Sequence, residues 1–138
     1  FTGSAQSNAT GDGTPATVSF DQTIRDTDAG FNGSTFTAGI AGKAIFSGNV
    51  ALSGILSGHT RCLIELVTTN MVLKVADFNP NDAPSGELDK SWSVAAIEMA
   101  VGQAASVRVT VSGGAKVVDI LAGSSAAPRT FFAGRYIL

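Results

Sequence analysis

From Ala44 the chain alternates with a period of two. Ala44, Phe46, Gly48, Val50 and Leu52 fall on one face, and Lys43, Ser47, Asn49 and Ser53 on the other, with Ile45 and Ala51 among them. Such alternation marks a half-buried β-strand. A polar turn, Asn32-Gly33-Ser34, and a short extended run, Thr35 to Ala38, lead into it. The stretch Phe31 to Ser53 is therefore read as the centre of the fold. Gly48 leaves room there for a neighbouring layer to approach closely.

The same period recurs on both sides of this centre. Phe1 and Ala5 fit an edge strand, and Val18 and Phe20 point inward from the run Ala16 to Phe20. After a turn at Ser57-Gly58-His59-Thr60, Cys62, Ile64 and Leu66 alternate with Arg61, Leu63, Glu65 and Val67, so apolar residues occupy both faces. Met71 to Phe78 reads as extended. Asn79 to Lys90, with Pro80, Pro84 and Gly86, reads as a long loop, functional or mobile. Trp92 to Val101 mixes helix formers with alternation, and its context makes it one strand. Val107, Val109 and Val111 alternate with Arg108, Thr110 and Ser112. Gly113-Gly114 then predicts a hairpin turn, with Val117 to Leu121 as the partner strand. The last strand, Thr130 to Leu138, is apolar on both faces. Short strands at this spacing predict an all-β sandwich or jelly roll.

Composition narrows the function. The 138 residues fit one domain, 1–138. A chain of that size buries roughly two thirds of its unfolded surface. The net charge is −2 and only 14% of residues are charged, which weighs against a nucleic-acid partner. No transmembrane run is present in the sequence, so no membrane insertion is expected. One cysteine, Cys62, excludes an intrachain disulfide and reads as a small core residue. The chain opens on Phe1, which is read as the ordered end of a longer polypeptide. The only histidine, His59, lies in a turn without a nucleophile elbow around it, and one His and one Cys do not make a zinc set. The acidic loop Asp26 to Gly30 lacks calcium-hand spacing: counting from Asp26, Phe31 is sixth and Thr37 twelfth, where glycine and glutamate are needed. No cofactor is expected, calcium being unsupported by spacing.

An ordered set of fragments is similar to the globular domain of complement C1q, which shares the tumour necrosis factor-like jelly roll. Phe31, Ser34 to Ala38, Gly42 and Phe46 resemble the family's F-x-x-x-x-F-x-x-P-x-x-G-x-Y-x-F signature. Thr17 to Asp21 resembles the strand before it. Ala100-Val101-Gly102-Gln103 resembles the glycine-acid turn, and Phe132 to Leu138 the closing F-x-G-x-x-L-L. Gly39, Ala44 and Gln103 stand where proline, tyrosine and aspartate are usual, so the resemblance is to a distant member, bacterial or bacteriophage in style. It implies a ten-stranded antiparallel jelly roll, trimeric, at the tip of a stem, binding partners rather than catalysing a reaction.

The strands with two apolar faces agree with a homotrimer. In a lone sandwich one face of each sheet meets water. Leu63, Val67, Phe131, Tyr136 and Leu138 are the expected trimer interface; the alternative puts Leu63, Val67, Tyr136 and Leu138 under loops of one subunit. Two functional readings follow. One is a non-enzymatic attachment head on a phage fibre, spike or virion decoration, at the virion surface, with other virion or stem proteins and a host glycan or protein as partners. The other is a secreted, extracellular C1q-like or lectin-like ligand-binding protein. The first places recognition in loops Ser57 to Thr60 and Asp77 to Ser91, the second in Trp92 or the Asn79 to Asp82 loop. The candidate residues are Asp77, Asn79, Asn81, Asp82, Trp92 and His59. Trp92 offers either packing or a platform for a sugar face.

Overall fold

The computed structural model describes residues 1–82 and 86–137. Among them are twelve strands: β1 (Gln6–Thr10), β2 (Ala16–Thr17), β3 (Phe31–Asn32), β4 (Thr35–Thr37), β5 (Gly42–Ser53), β6 (Arg61–Thr68), β7 (Val72–Phe78), β8 (Leu88–Ser93), β9 (Ile97–Met99), β10 (Ala104–Ser112), β11 (Val118–Ile120) and β12 (Phe131–Ile137). One 3-10 turn, Pro80–Asp82, stands between β7 and β8. The strands form two antiparallel sheets facing each other.

The first sheet is organised by β5. Gly48 lies opposite Phe132 of β12 and also opposite Trp92 of β8, so these two strands hold opposite edges of β5. Further along, Leu52 pairs with Ile120 of β11 on one edge and Leu88 of β8 on the other. β9 continues the line of β8, with Ile97 opposite Ala44. Each edge of β5 is thus served by two short strands end to end, and β1 lies outside β11.

At the breaks between those short strands, ladder groups of β5 find partners outside the strands. At the junction of β11 and β12, the Ala51 N–H donates to Thr130 Oγ1 (3.1 Å) and the Ala51 carbonyl accepts from the Leu121 N–H (2.8 Å). At the junction of β8 and β9, the Val94 N–H donates to the Phe46 carbonyl (3.0 Å).

The second sheet repeats the plan around β10. β6 lies along one edge in an eight-residue register from Ala105↔Thr68 to Ser112↔Arg61. β4 and β2 share the other edge, with Ser106 opposite Thr35 and Arg108 opposite Thr17. β10 alternates strictly between buried and half-buried positions. Val107, Val109 and Val111 face inward with Cys62, Ile64 and Leu66 of β6, all fully buried.

The core between the sheets is aromatic on one side. Phe132 stacks on Phe20 (5.7 Å) and on Phe46 (5.4 Å) and meets Phe31 (5.6 Å) and Trp92 (5.9 Å). This row needs a residue without a side chain between Trp92 and Phe132. A Cβ on Gly48 would sit 2.8 Å from Trp92 Cζ2 and against the Phe131 carbonyl.

The alternation of β5 is observed as read from sequence, and Val18 and Phe20 are buried. Four expectations are corrected. Gly113-Gly114 is not a hairpin turn: both edges of β10 are occupied by β6 and by β4 with β2, so the chain crosses to the other sheet and β11 pairs with β5 and β1. Gly113 takes a left-handed φ of 101° at that crossing. Trp92 to Val101 holds two strand pieces, β8 and β9, interrupted at Val94–Ala96. The loop after Asn79 is shorter than read, because Leu88, Asp89 and Lys90 already belong to β8. The strand count is twelve among the described residues, because the run read as one strand at Trp92 to Val101 is two and Phe31–Asn32 adds a short strand.

Gly48→Ala is expected to destabilise the fold by about 1–3 kcal/mol, the usual cost of overpacking a filled core. Gly42→Ala, with open space around its Cβ position, is expected to change stability by less than about 0.5 kcal/mol. Urea unfolding of both variants measures the difference.

Candidate interaction surfaces

The two loops singled out from sequence meet at one end of the sandwich. Asn81, in the 3-10 turn, donates from Nδ2 to the carbonyls of Ser57 (3.0 Å) and His59. Asn79 Oδ1 accepts from the Asn81 N–H (3.0 Å) and shapes that turn. Asn79, Asn81 and Asp82 are exposed. Asp77, at the end of β7, receives two hydrogen bonds from Arg61, at 3.0 and 2.9 Å, and one from Lys74 at 3.3 Å. Arg61 begins β6 one residue after Thr60, so this fork also stands at the loop end. Ala83, Pro84 and Ser85 of the recognition loop lie outside the described residues.

His59 is not on this surface. It is fully buried. The Leu56 N–H donates to its Nδ1 (2.9 Å), so Nδ1 carries no proton. The proton is on Nε2, which donates to the Ala115 carbonyl (2.8 Å). The ring fits because Gly114 has no side chain: a Cβ there would lie 2.7 Å from His59 Cδ2. His59 thus ties the 56–59 turn to the 113–117 crossing, and neither nitrogen is free for a ligand or a substrate. Trp92 is also interior, 6% exposed, with its ring between β8 and Phe132. The structure therefore brings together Asp77, Asn79, Asn81 and Asp82, and it withdraws His59 and Trp92.

The electrostatics at this end are simple. Hydrogen bonds from Arg61, with Lys74 beside it, hold the Asp77 carboxyl down at about 2, below the ordinary carboxylate value. Burial pushes the Cys62 thiol up to about 12, so Cys62 stays an unreactive core residue. No group of three or more His, Cys, Asp and Glu able to hold a metal ion is found among the described residues. No helix among them is long and apolar enough to cross a membrane.

The outer faces of the two sheets differ. On the second sheet, Leu63 and Val67 of β6 point outward and are half-buried. Between them Glu65 pairs with Arg108 (2.9 Å), and Arg61, Lys74 and Asp77 form a charged cluster nearby. On the first sheet, Phe131, Ala133, Arg135 and Ile137 of β12 project outward beside Ile45, Ser47 and Asn49 of β5 and Ser91 and Ser93 of β8. Arg135 is the one charge among these outward β12 positions. Asn49 donates to the Arg129 carbonyl (2.6 Å) and accepts from the Ser91 hydroxyl (3.0 Å). Charges stand at its rim, where Arg129 lies 3.3 Å from Asp89.

Of the five residues expected at a trimer interface, Phe131 lies on this face. Leu63 and Val67 lie on the opposite sheet. Tyr136 instead faces the core side, against Phe36 (6.0 Å). Leu138 lies outside the described residues.

No protein-family model matches the sequence, and no curated protein matches it. Solved structures do match by fold. One is the crystal structure of murine APRIL, with a TM-score of 0.50 and 10% identity over 86% of this chain and 91% of that one. The architecture is a tumour necrosis factor/C1q-like jelly roll. At that identity the likeness is one of fold alone.

Asp77→Asn tests the fork. A carboxyl held below its unfolded value stabilises the folded state above the unfolded pKa, and the gain is lost as pH falls through about 2. Wild type is expected to unfold at slightly higher urea than Asp77→Asn at neutral pH, with the gap closing as pH approaches about 2. His59→Ala is expected to destabilise by about 2–4 kcal/mol at neutral pH, from the lost packing and two unmade hydrogen bonds. Thermal and urea unfolding measure both.

Proposed function

We propose that this chain is a non-enzymatic attachment module: the homotrimeric head of a phage fibre, spike or virion decoration that binds a host surface glycan or protein through its loop end. The observation that carries the reading is the outer face of the β5 sheet, where Phe131, Ala133, Ile45 and Ile137 stand together and Arg135 is the one charge among the outward β12 residues. The β6–β10 face gathers Glu65, Arg108, Lys74 and Asp77 around Leu63 and Val67. An aromatic and aliphatic set with an arginine among it is the composition of a surface covered by another chain. A cyclic trimer joins two different patches of each subunit. Phe131 on one face and Leu63 and Val67 on the other fit such a head-to-tail arrangement.

Two further features support the reading. His59, the only histidine, has both nitrogens committed to backbone groups. The Asn79–Asp82 turn is braced by Asn81 yet exposes its side chains, which suits a recognition loop on a rigid scaffold.

Sedimentation equilibrium tests the assembly. The expected mass is three times that of the chain, and Ala133→Asp, which places a charge on the exposed middle of the face, is expected to yield monomers with unchanged thermal stability of the single fold. A wild-type monomer at micromolar concentration would overturn the proposal. Alanine replacement of Asn79 and Asp82 is expected to abolish adsorption to host cells or glycans while leaving the trimer intact; unaltered adsorption would move recognition elsewhere.

A further inference from the structure

An edge strand offers a row of unpaired amides and carbonyls to other chains, and folds blunt their edges with bulges, charges or very short strands. Most edges here are finished that way. β1 carries a register shift, with Asn8 at a φ of 50°. β7 carries another at Val75, between Lys74 and Asp77. β2 and β3 are two residues each. β8 bears Asp89 and Lys90, and its line to β9 is interrupted. β12 has none of these devices. It stands at the end of its sheet, runs seven residues in unbroken register against β5, and bears one charge, Arg135.

The hydrogen bonds show which of its groups face outward from the edge. In an antiparallel strand, successive residues turn their backbone groups to opposite neighbours. The Phe46 carbonyl bonds on the β8 side and Ala51 on the β12 side. Odd-numbered residues of β5 therefore bond β12, through Phe131, Ala133, Arg135 and Ile137. Phe132, Gly134 and Tyr136 turn their N–H and C=O groups to the free side. Thr130 belongs to the same set, and its carbonyl is taken there by the Thr2 N–H (2.9 Å). Beyond Thr130 no backbone partner covers this side among the described residues.

The space in front of the edge is roomy and apolar. A cavity of about 710 Å³ lies between β12 and the segment Gln22 to Asp28. Phe132 and Tyr136 face it half-buried, and Gly134 leaves a gap between their rings. We propose that β12 takes up one extended segment of a partner protein as an added strand, with an acidic residue opposite Arg135. Main-chain bonds to Phe132, Gly134 and Tyr136 supply affinity, and alternate side chains supply selectivity. The added residue opposite Gly134 points inward and fills the gap with an apolar side chain. Its neighbours point outward, where Arg135 has only Ile45 across the strand and no ion pair among the described residues. A carboxylate is the cross-strand complement of that charge. A second copy fits less well: its other edges are blunted, and joining β12 to β12 would set two 22–28 segments in one gap. The inference does not depend on the assembly proposed above.

The test uses the full chain in whatever assembly it forms. The probe is the peptide acetyl-TVELTVT-amide, whose antiparallel register sets leucine opposite Gly134 and glutamate opposite Arg135. Saturable binding is expected by calorimetry. Hydrogen exchange is expected to slow at the amides of Phe132, Gly134 and Tyr136, which exchange fast without peptide. N-methylation of the peptide's leucine, which removes a main-chain donor, is expected to weaken binding about tenfold. Arg135→Glu changes an exposed side chain, and is expected to weaken this peptide about threefold and to tighten TVKLTVT by a similar factor. No saturable binding, equal binding of the methylated peptide, or equal effects of Arg135→Glu on both peptides would each overturn the proposal. Protection of those three amides in the chain without peptide would also overturn it, and would give the edge to a second copy.

Discussion

A twelve-residue strand hydrogen-bonded along both edges sets the geometry of this molecule. β5 can be buried on both edges only if every amide and carbonyl finds a partner, and two short strands in line on each side supply most of them. Where those strands stop, Thr130, Leu121 and Val94 supply further partners. The same strand fixes the aromatic core, because Gly48 opens the slot between Trp92 and Phe132. From that row the stack passes through Phe46 and Phe20 to the opposite sheet. The position of β12, of β8 and of the core between them thus follows from one residue without a side chain.

The second sheet obeys the same rule around β10, and this duplication explains the chain crossings. A strand whose edges are both filled cannot take its sequence neighbour as a partner. The chain leaving β10 at Gly113 therefore moves to the other sheet. His59 secures that crossing from beneath, with one nitrogen on each of the two turns it joins. The loop end above it is rigid at its base and polar at its tip. The two outer faces, one gathering Glu65, Arg108, Lys74 and Asp77 and the other Phe131, Ala133, Ile45 and Ile137, give the sandwich distinct sides. That asymmetry matters more to the functional reading than any single residue.

Much of this was legible in the sequence. The alternation in β5, β6 and β10 named the core residues, since a period of two on a pleated strand leaves only one set facing inward. Cys62 alternated with Ile64 and Leu66 and is buried with them. The two loops at one end were placed by their glycine, proline and asparagine content, and Asn81 joins them. Other features were hidden. Trp92, read as either packing or a sugar platform, is buried with Gly48 across the strand making room for it, and His59, read as a turn residue, is buried with Gly114 across the crossing making room for it. Neither contact has a local signal. The hairpin at Gly113-Gly114 failed for a related reason: glycine permits a turn but does not say which sheet follows it.

Taken alone, the order of residues determined the strands, their inward faces and the all-β class, because alternation and turn chemistry act over a few neighbouring positions. Only the tertiary structure decided which strands share an edge, which side chains gather on each outer face, and that Tyr136 turns inward against Phe36. Those outcomes depend on residues far apart in the chain competing for the same hydrogen-bonding edges and the same buried space, and no local pattern records who wins.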